Sequence, residues 1–80
     1  MRDKTLETLI LNCLKDYGMD EPEDVLAAEV YNRRCNVTTQ RLNESINYLV
    51  ECECVARNET VCHDVTYAIT KIGLAALKGC

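Results

Sequence analysis

The chain has 80 residues and a formal net charge of −4, with 48% hydrophobic and 28% charged residues. This composition is typical of a globular protein, and the length accommodates one domain, which we place at 1–80. No run approaches the roughly 18 apolar residues of a membrane span, and no signal-peptide pattern opens the sequence. We therefore expect a soluble, cytoplasmic protein. The acidic balance argues mildly against nucleic-acid binding.

The first predicted element is an amphipathic helix. Apolar residues recur at helical spacing over 6–17 and form one stripe. Asp3 or Thr5 can cap the start, because short polar side chains accept hydrogen bonds from the free amides there. Gly18 tolerates the left-handed conformation that ends many helices. The sequence therefore predicts a helix that ends just before Gly18.

A second helix is predicted to follow directly. The segment DEPED at 20–24 places Pro22 at the first helical position, where its missing N–H costs nothing. The surrounding carboxylates favour the positive end of the helix dipole. We expect this helix to continue to about Asn32.

A turn over 33–37 separates the second helix from a third. Thr38 or Thr39 caps the third helix, and its apolar stripe extends to Val50. After this helix the pattern changes, because the segments 54–56 and 65–69 are rich in β-forming residues. These segments predict two strands joined by a polar hairpin loop.

The last predicted element is a helix over 71–78, capped by Thr70. The elements therefore follow in the order helix, helix, helix, strand, strand, helix.

Two segments resemble the winged helix-turn-helix family. LVECECVAR at 49–57 resembles the end of the family's third helix and its first wing strand, where Leu, three polar residues, Gly, two aliphatic residues and a later basic residue are common. YAITKIGLAAL at 67–77 is similar to the aliphatic-Thr-x-x-Gly-x-x-x-Leu passage into the closing helix. The resemblance covers essentially the whole chain. It implies an α+β winged helix-turn-helix fold with three helices, a two-stranded wing hairpin and a C-terminal helix.

Two positions depart from the family pattern. Glu53 stands where Gly is expected, so either a non-Gly residue is left-handed there or the turn is built differently. Cys54 occupies an aliphatic position and weakens the strand signal.

The resemblance implies that the third helix enters the major groove of DNA while the wing touches phosphates or the minor groove. Gln and Asn pair with adenine and Arg with guanine, so outward residues of this helix are candidates for base reading. They are Thr39, Gln40, Asn43 and Asn47, with Arg41 partly to the side. Three arginines are candidates for phosphate contacts, namely Arg33, Arg34 and Arg57. A solvated polar helix face is the alternative interpretation of the same residues.

The charges are unevenly distributed along the chain. Residues 1–29 hold three basic and eight acidic side chains, and residues 30–80 hold six basic and five acidic ones. Because a nearly neutral surface releases few counterions, a monomer would bind DNA weakly, and we expect a homodimer. The resemblance implies that the first and last helices form the dimer contact, through Leu6, Ile10, Leu74 and Leu77. The alternative is that these residues all belong to the core of the domain.

These features predict a small transcriptional regulator that binds double-stranded DNA, a type of chain that is frequent among phage and prophage genes. The alternative is a winged-helix adaptor that does not bind DNA and whose acidic first half meets a basic protein partner. We expect no enzyme activity, because the lone histidine, His63, lies in a polar loop without a catalytic constellation.

A zinc site is the remaining chemical hypothesis. Cys52, Cys54, Cys62 and His63 offer four ligands, but their spacing is not one of the strong zinc patterns. Reduced thiols used as small apolar residues are the favoured interpretation, since Cys13 and Cys54 fall on apolar stripes. We therefore expect no metal and no cofactor.

Overall fold

The computed structural model describes residues 3–34 and 36–79, so Cys35 of the predicted turn and the terminal Cys80 lie outside the described residues. The elements are α1 (Lys4–Tyr17), β1 (Glu21–Pro22), α2 (Glu23–Arg33), α3 (Thr39–Glu51), β2 (Val55–Glu59), β3 (Val65–Ile69) and α4 (Lys71–Lys78). The strands form one antiparallel sheet in the order β1-β3-β2. The predicted α+β fold class, with three helices, a wing hairpin and a closing helix, is confirmed.

The predicted helix boundaries rest on polar caps. The side chains of Asp3, Thr38 and Thr70 accept hydrogen bonds of 3.0, 3.2 and 3.1 Å from amides of the first turns of α1, α3 and α4. Gly18 ends α1 with a φ of 78°, a left-handed conformation that favours glycine. The sequence predicted these helix boundaries correctly because each cap bonds to backbone groups that the helix itself leaves free.

The start of α2 differs from the prediction. Pro22 precedes the helix, and with Glu21 it forms the short strand β1, which pairs with Tyr67 and Thr66 of β3. Proline is tolerated there because β1 is an edge strand. Two residues carry no periodicity, so the sequence pattern did not reveal this third strand.

Glu53, which stands where the family pattern has Gly, lies at the junction between α3 and β2. This residue is left-handed, with a φ of 65°. Its N–H donates to the Val50 carbonyl and the Cys54 N–H donates to the Leu49 carbonyl, both at 3.0 Å, which is the Schellman arrangement of a helix end. The Thr70 hydroxyl donates to the Glu53 carbonyl at 2.6 Å and ties α4 to this turn.

Gly73 allows α4 to approach the same turn closely. A Cβ at this position would overlap the carbonyl oxygen of Cys54 and would lie 2.8 Å from Cγ1 of Ile69. Glycine is therefore required here by the close approach of two backbones, and Gly73 is itself buried.

The core lies around α1, which contacts α2, α3, α4 and β3. Its buried apolar residues are Leu6, Ile10, Leu11, Cys13, Leu14, Leu26, Val30, Leu42, Ile46, Leu49, Cys54, Val55 and Tyr67. Leu6 and Ile10 are 0% exposed, so the prediction that they contact a second copy is corrected: packing of α1 within the chain consumes both. Leu74 and Leu77 keep partial exposure.

Candidate nucleic-acid interface

Most of the residues predicted to read bases lie on the outward face of α3, with Arg41 to its side. Leu42, Ile46 and Leu49 turn inward at helical spacing, which directs the polar positions of the helix to solvent. All five predicted residues are exposed: Thr39, Gln40, Arg41, Asn43 and Asn47.

Two of these side chains are already held by neighbours. The Thr39 hydroxyl lies 3.1 Å from the hydroxyl of Tyr31 on α2, and the Gln40 amide donates to Oε1 of Glu44 at 3.1 Å. Within residues 3–34 and 36–79, the side chains of Arg41, Asn43 and Asn47 have no hydrogen bond or ion pair with another group. Their donors and acceptors are therefore available to a ligand.

A cleft of about 690 Å³ runs beside this face, between α2, α3 and the wing. Tyr31, Thr39 and Asn43 line one side, and the wing residues His63 and Thr66 line the other. Sequence reasoning missed the cleft, because it depends on how close the β2–β3 hairpin folds to α3. Carboxylates also border it, from Glu23, Asp24 and Asp64, so its charge opposes close approach of a phosphate.

The tip of the wing is a tight turn between β2 and β3. The Thr60 N–H donates to the Asp64 carbonyl at 2.8 Å, and the His63 N–H donates to the Thr60 carbonyl at 2.9 Å. Nδ1 of His63 lies 3.0 Å from Oε1 of Glu59. These contacts project Val61 outward with 98% exposure, which makes it an apolar tip.

Arg57, one of the three predicted phosphate contacts, lies on β2 and is exposed. Its guanidinium is 6.0 Å from the centre of the Tyr67 ring, at the outer limit of a cation–π contact. The wing therefore offers one arginine without a carboxylate partner among the described residues.

Arg33 and Arg34 are engaged inside the chain. Nη2 of Arg33 lies 3.2 Å from Asp16 and 3.1 Å from Glu29. The hydrogen bond with Asp16 is the main cause of the raised pKa of Arg33. Nη1 of Arg34 lies 3.3 Å from Asp3, in an ion pair whose geometry leaves Nη1 without a hydrogen bond. The amide of Leu6 and, more weakly, Arg34 lower the pKa of Asp3.

The structure does not bring the four zinc candidates together. Cys52 at the end of α3 and Cys62 in the wing turn are exposed, Cys54 is buried, and His63 is bonded to Glu59. Burial raises the pKa of Cys54, which opposes formation of the thiolate that metals bind. In the described part of the chain, no three His, Cys, Asp or Glu side chains are arranged to hold a metal ion.

None of the helices formed by the described residues combines the length and the hydrophobicity that a membrane span needs.

Comparison with known proteins supports the fold. The sequence matches no family model and no curated protein. Among solved structures, the chain is similar to F93 from STIV, a winged-helix DNA-binding protein, with a TM-score of 0.83 and 18% identity. The match covers 99% of this chain and 86% of that chain. At this identity the likeness shows the fold alone, and the winged helix-turn-helix resemblance of the sequence is confirmed at that level.

Proposed function

We propose that this chain is a DNA-binding transcriptional regulator that reads the major groove with α3. The observation that carries the proposal is that Asn43 and Asn47, four residues apart and so on one face of that helix, are exposed and have no partner among the described residues, with exposed Arg41 to the side of this face. Their donors and acceptors match the edges of guanine and adenine. Thr39 and Gln40 extend this surface toward the start of α3. A polar helix between a compact body and a wing is also the arrangement that winged-helix proteins use on DNA.

We expect the three arginines to contribute unequally to the binding of DNA phosphates. Within the described residues, the guanidinium of Arg57 has no carboxylate partner. Arg57 is therefore expected to contact a DNA phosphate without first losing an ion pair. Arg33 and Arg34 contribute only if DNA displaces the carboxylates that hold them, which offsets part of the gain. Few cations therefore face the DNA, and one copy binds weakly.

A homodimer on two half-sites supplies the missing affinity. α4 keeps apolar surface, since Ile72 is 50% exposed and Leu74, which is half-buried, is not among the described residues that pack on the core cluster. Leu77 packs on that cluster and has less surface to offer. We expect sedimentation of the wild type to show a dimer and Leu74→Glu to sediment as a monomer. A wild-type monomer at all concentrations contradicts the dimer.

The test of DNA reading is selection from a library of random duplexes at two salt concentrations. The wild type is expected to enrich a common motif, and Asn43→Ala/Asn47→Ala to lose it, since each lost base contact costs about 1–3 kcal/mol. The matched control is Asn12→Ala/Asn32→Ala, which makes the same change on α1 and α2. It is expected to enrich the wild-type motif.

Two results contradict the regulator. One is no binding at low salt by a folded wild-type protein, and the other is an unchanged motif in the α3 variant. The first result favours the alternative function, a winged-helix adaptor that binds a protein instead of DNA. The acidic first half would then be the surface that contacts a basic partner.

A further inference from the structure

A second, smaller cleft lies between the end of α1 and the outer side of α2. It has a volume of about 190 Å³ and shares no lining residue with the cleft beside α3. The carboxylates of Asp16, Glu21 and Glu29 line it together with Arg33. Its chemistry is therefore acidic, with a single cation of the chain inside it.

Glu21 is the unusual member of this group. The residue is 1% exposed, and within the described residues its Oε1 atom has no hydrogen-bond partner. Burial, reinforced by the nearby charge of Glu29, raises the pKa of this carboxyl. A buried carboxylate without a partner costs free energy, and a cation that reaches Oε1 would recover that cost.

Arg33 does not supply that cation. Its guanidinium is bonded to Asp16 and Glu29 and makes no hydrogen bond with Glu21. The cleft thus holds three carboxylates and one guanidinium. Two of the carboxylates bond to the guanidinium, and the third, that of Glu21, is the most buried.

The rim of the cleft is partly apolar. Tyr17 at the end of α1 is 42% exposed and Val25 on α2 is 40% exposed, and both line the cleft. A buried carboxylate beside exposed apolar surface matches a side chain that has an aliphatic stem and a cationic head. The excess of carboxylates excludes the phosphate backbone of a nucleic acid as the occupant.

We propose that this cleft is the docking site for a partner-protein segment that inserts an arginine side chain, flanked by apolar residues, onto Glu21. The planar guanidinium of arginine donates to a carboxylate in a fixed geometry and is weakly hydrated, so it suits a nearly dry acceptor better than the ammonium of lysine. The apolar neighbours of the inserted arginine would cover Tyr17 and Val25. The site is independent of DNA reading by α3.

The test is a titration of ¹⁵N-labelled protein with a short acetylated peptide amide that carries one arginine between two leucines. The control peptide replaces the arginine with citrulline, which has the same shape without the charge. We expect the arginine peptide to shift amide signals of residues 16–29 and the citrulline peptide to leave them unchanged. Because the guanidinium bonds to a buried carboxylate, Glu21→Gln is expected to weaken binding by about tenfold or more.

Asp20→Asn is the matched variant, because it removes one negative charge at an exposed position outside the cleft. Its affinity for the arginine peptide is expected to stay within about twofold of the wild type. Equal weakening in Asp20→Asn and Glu21→Gln overturns the proposal, since general charge attraction then explains the binding. Shifts confined to α3, or equal binding of the citrulline peptide, overturn it as well.

Two further outcomes are decisive. If the same amides shift with protein concentration in the absence of peptide, a second copy of the chain occupies the cleft and the proposed partner is wrong.

If Glu21→Gln does not fold, Val25→Ser tests the rim instead. Its affinity for the arginine peptide is expected to fall by about threefold, because one partly exposed apolar contact is lost. An unchanged affinity overturns the proposal.

Discussion

The two halves of the molecule share one apolar core but differ in their polar and backbone contacts. In the first half, ion pairs join α1 and α2: Arg33 of α2 bonds to Asp16 of α1, and Arg34 after α2 pairs with Asp3 before α1, while Glu29 is a second partner of Arg33 within α2. α3, the sheet and α4 instead meet through backbone contacts around residues 53–54 and Gly73. In the first half the arginines are therefore structural, whereas in the second half they are available to a ligand.

The formal charge of a segment of the sequence therefore differs from the charge that its surface offers to a ligand. The sequence places Arg33 and Arg34 in the nearly neutral part of the chain, but in space both belong to the acidic first half. The surface around α3 is left with Arg41, and the wing with Arg57. Binding to DNA must then depend on base contacts and on dimerisation more than on counterion release.

The largest expected effect tests the backbone contacts of the second half. Gly73→Ala forces a methyl group into the carbonyl oxygen of Cys54, so α4 or the turn must move. We expect the free energy of unfolding to fall by about 2 kcal/mol, measured by urea denaturation. Gly79→Ala is the control, because its Cβ would approach no atom closer than 3.3 Å. An equal loss in both variants contradicts the close approach as the cause.

The next effect compares one arginine from each half. Arg41→Ala and Arg33→Ala remove the same charge, but we expect only Arg41→Ala to weaken DNA binding, by about tenfold. Arg33→Ala is expected to lower the free energy of unfolding by at most about 1 kcal/mol, since its partners are largely exposed, and to change DNA affinity by about twofold or less. Fluorescence anisotropy and urea denaturation give the two values. If both variants bind DNA equally weakly, Arg33 leaves its carboxylates in the complex.

Much of the fold could be predicted from the sequence, because its signals are local. The caps at Asp3, Thr38 and Thr70 and the stop at Gly18 each depend on residues within one helical turn. The bounds of β3 follow from a run of β-forming residues in the same way. The strand β1 could not be predicted, because its two residues carry no periodicity and pair with residues of β3 that are distant in the sequence.

The candidate site could be predicted only in part. The exposure of Asn43 and Asn47 follows from helical periodicity. The ion pair between Arg33 and Asp16 joins residues 17 positions apart, and Glu21, a charged residue beside a proline, is 1% exposed. Long-range packing decides both, and no motif in the sequence encodes it.

Glu21 gives a pH test of the first half. Because burial raises the pKa of Glu21, the folded chain keeps a proton there over a pH range in which the unfolded chain has already lost it. The contribution of this group to stability is therefore present at low pH and is lost as pH rises above the ordinary carboxyl value of 4.5. Glu21→Gln is expected to be the more stable protein near neutral pH, by about 1 kcal/mol, and to lose this advantage at about pH 4. Urea denaturation across this range measures the difference. Asp20→Asn controls for net charge, and an advantage of Glu21→Gln that does not change with pH contradicts the assignment.

The smallest effect concerns the turn that joins α3 to the sheet. At Glu53 the left-handed backbone strains a residue with a Cβ, and glycine removes that strain while adding freedom to the unfolded chain. We expect Glu53→Gly to raise the free energy of unfolding by about 0.5 kcal/mol. Glu51→Gly makes the same chemical change two residues earlier, where the backbone is helical, and is expected to lower it by about 0.5 kcal/mol. Opposite signs in urea denaturation would show that backbone conformation, not the lost carboxylate, decides the stability of this turn, whereas equal signs would contradict it.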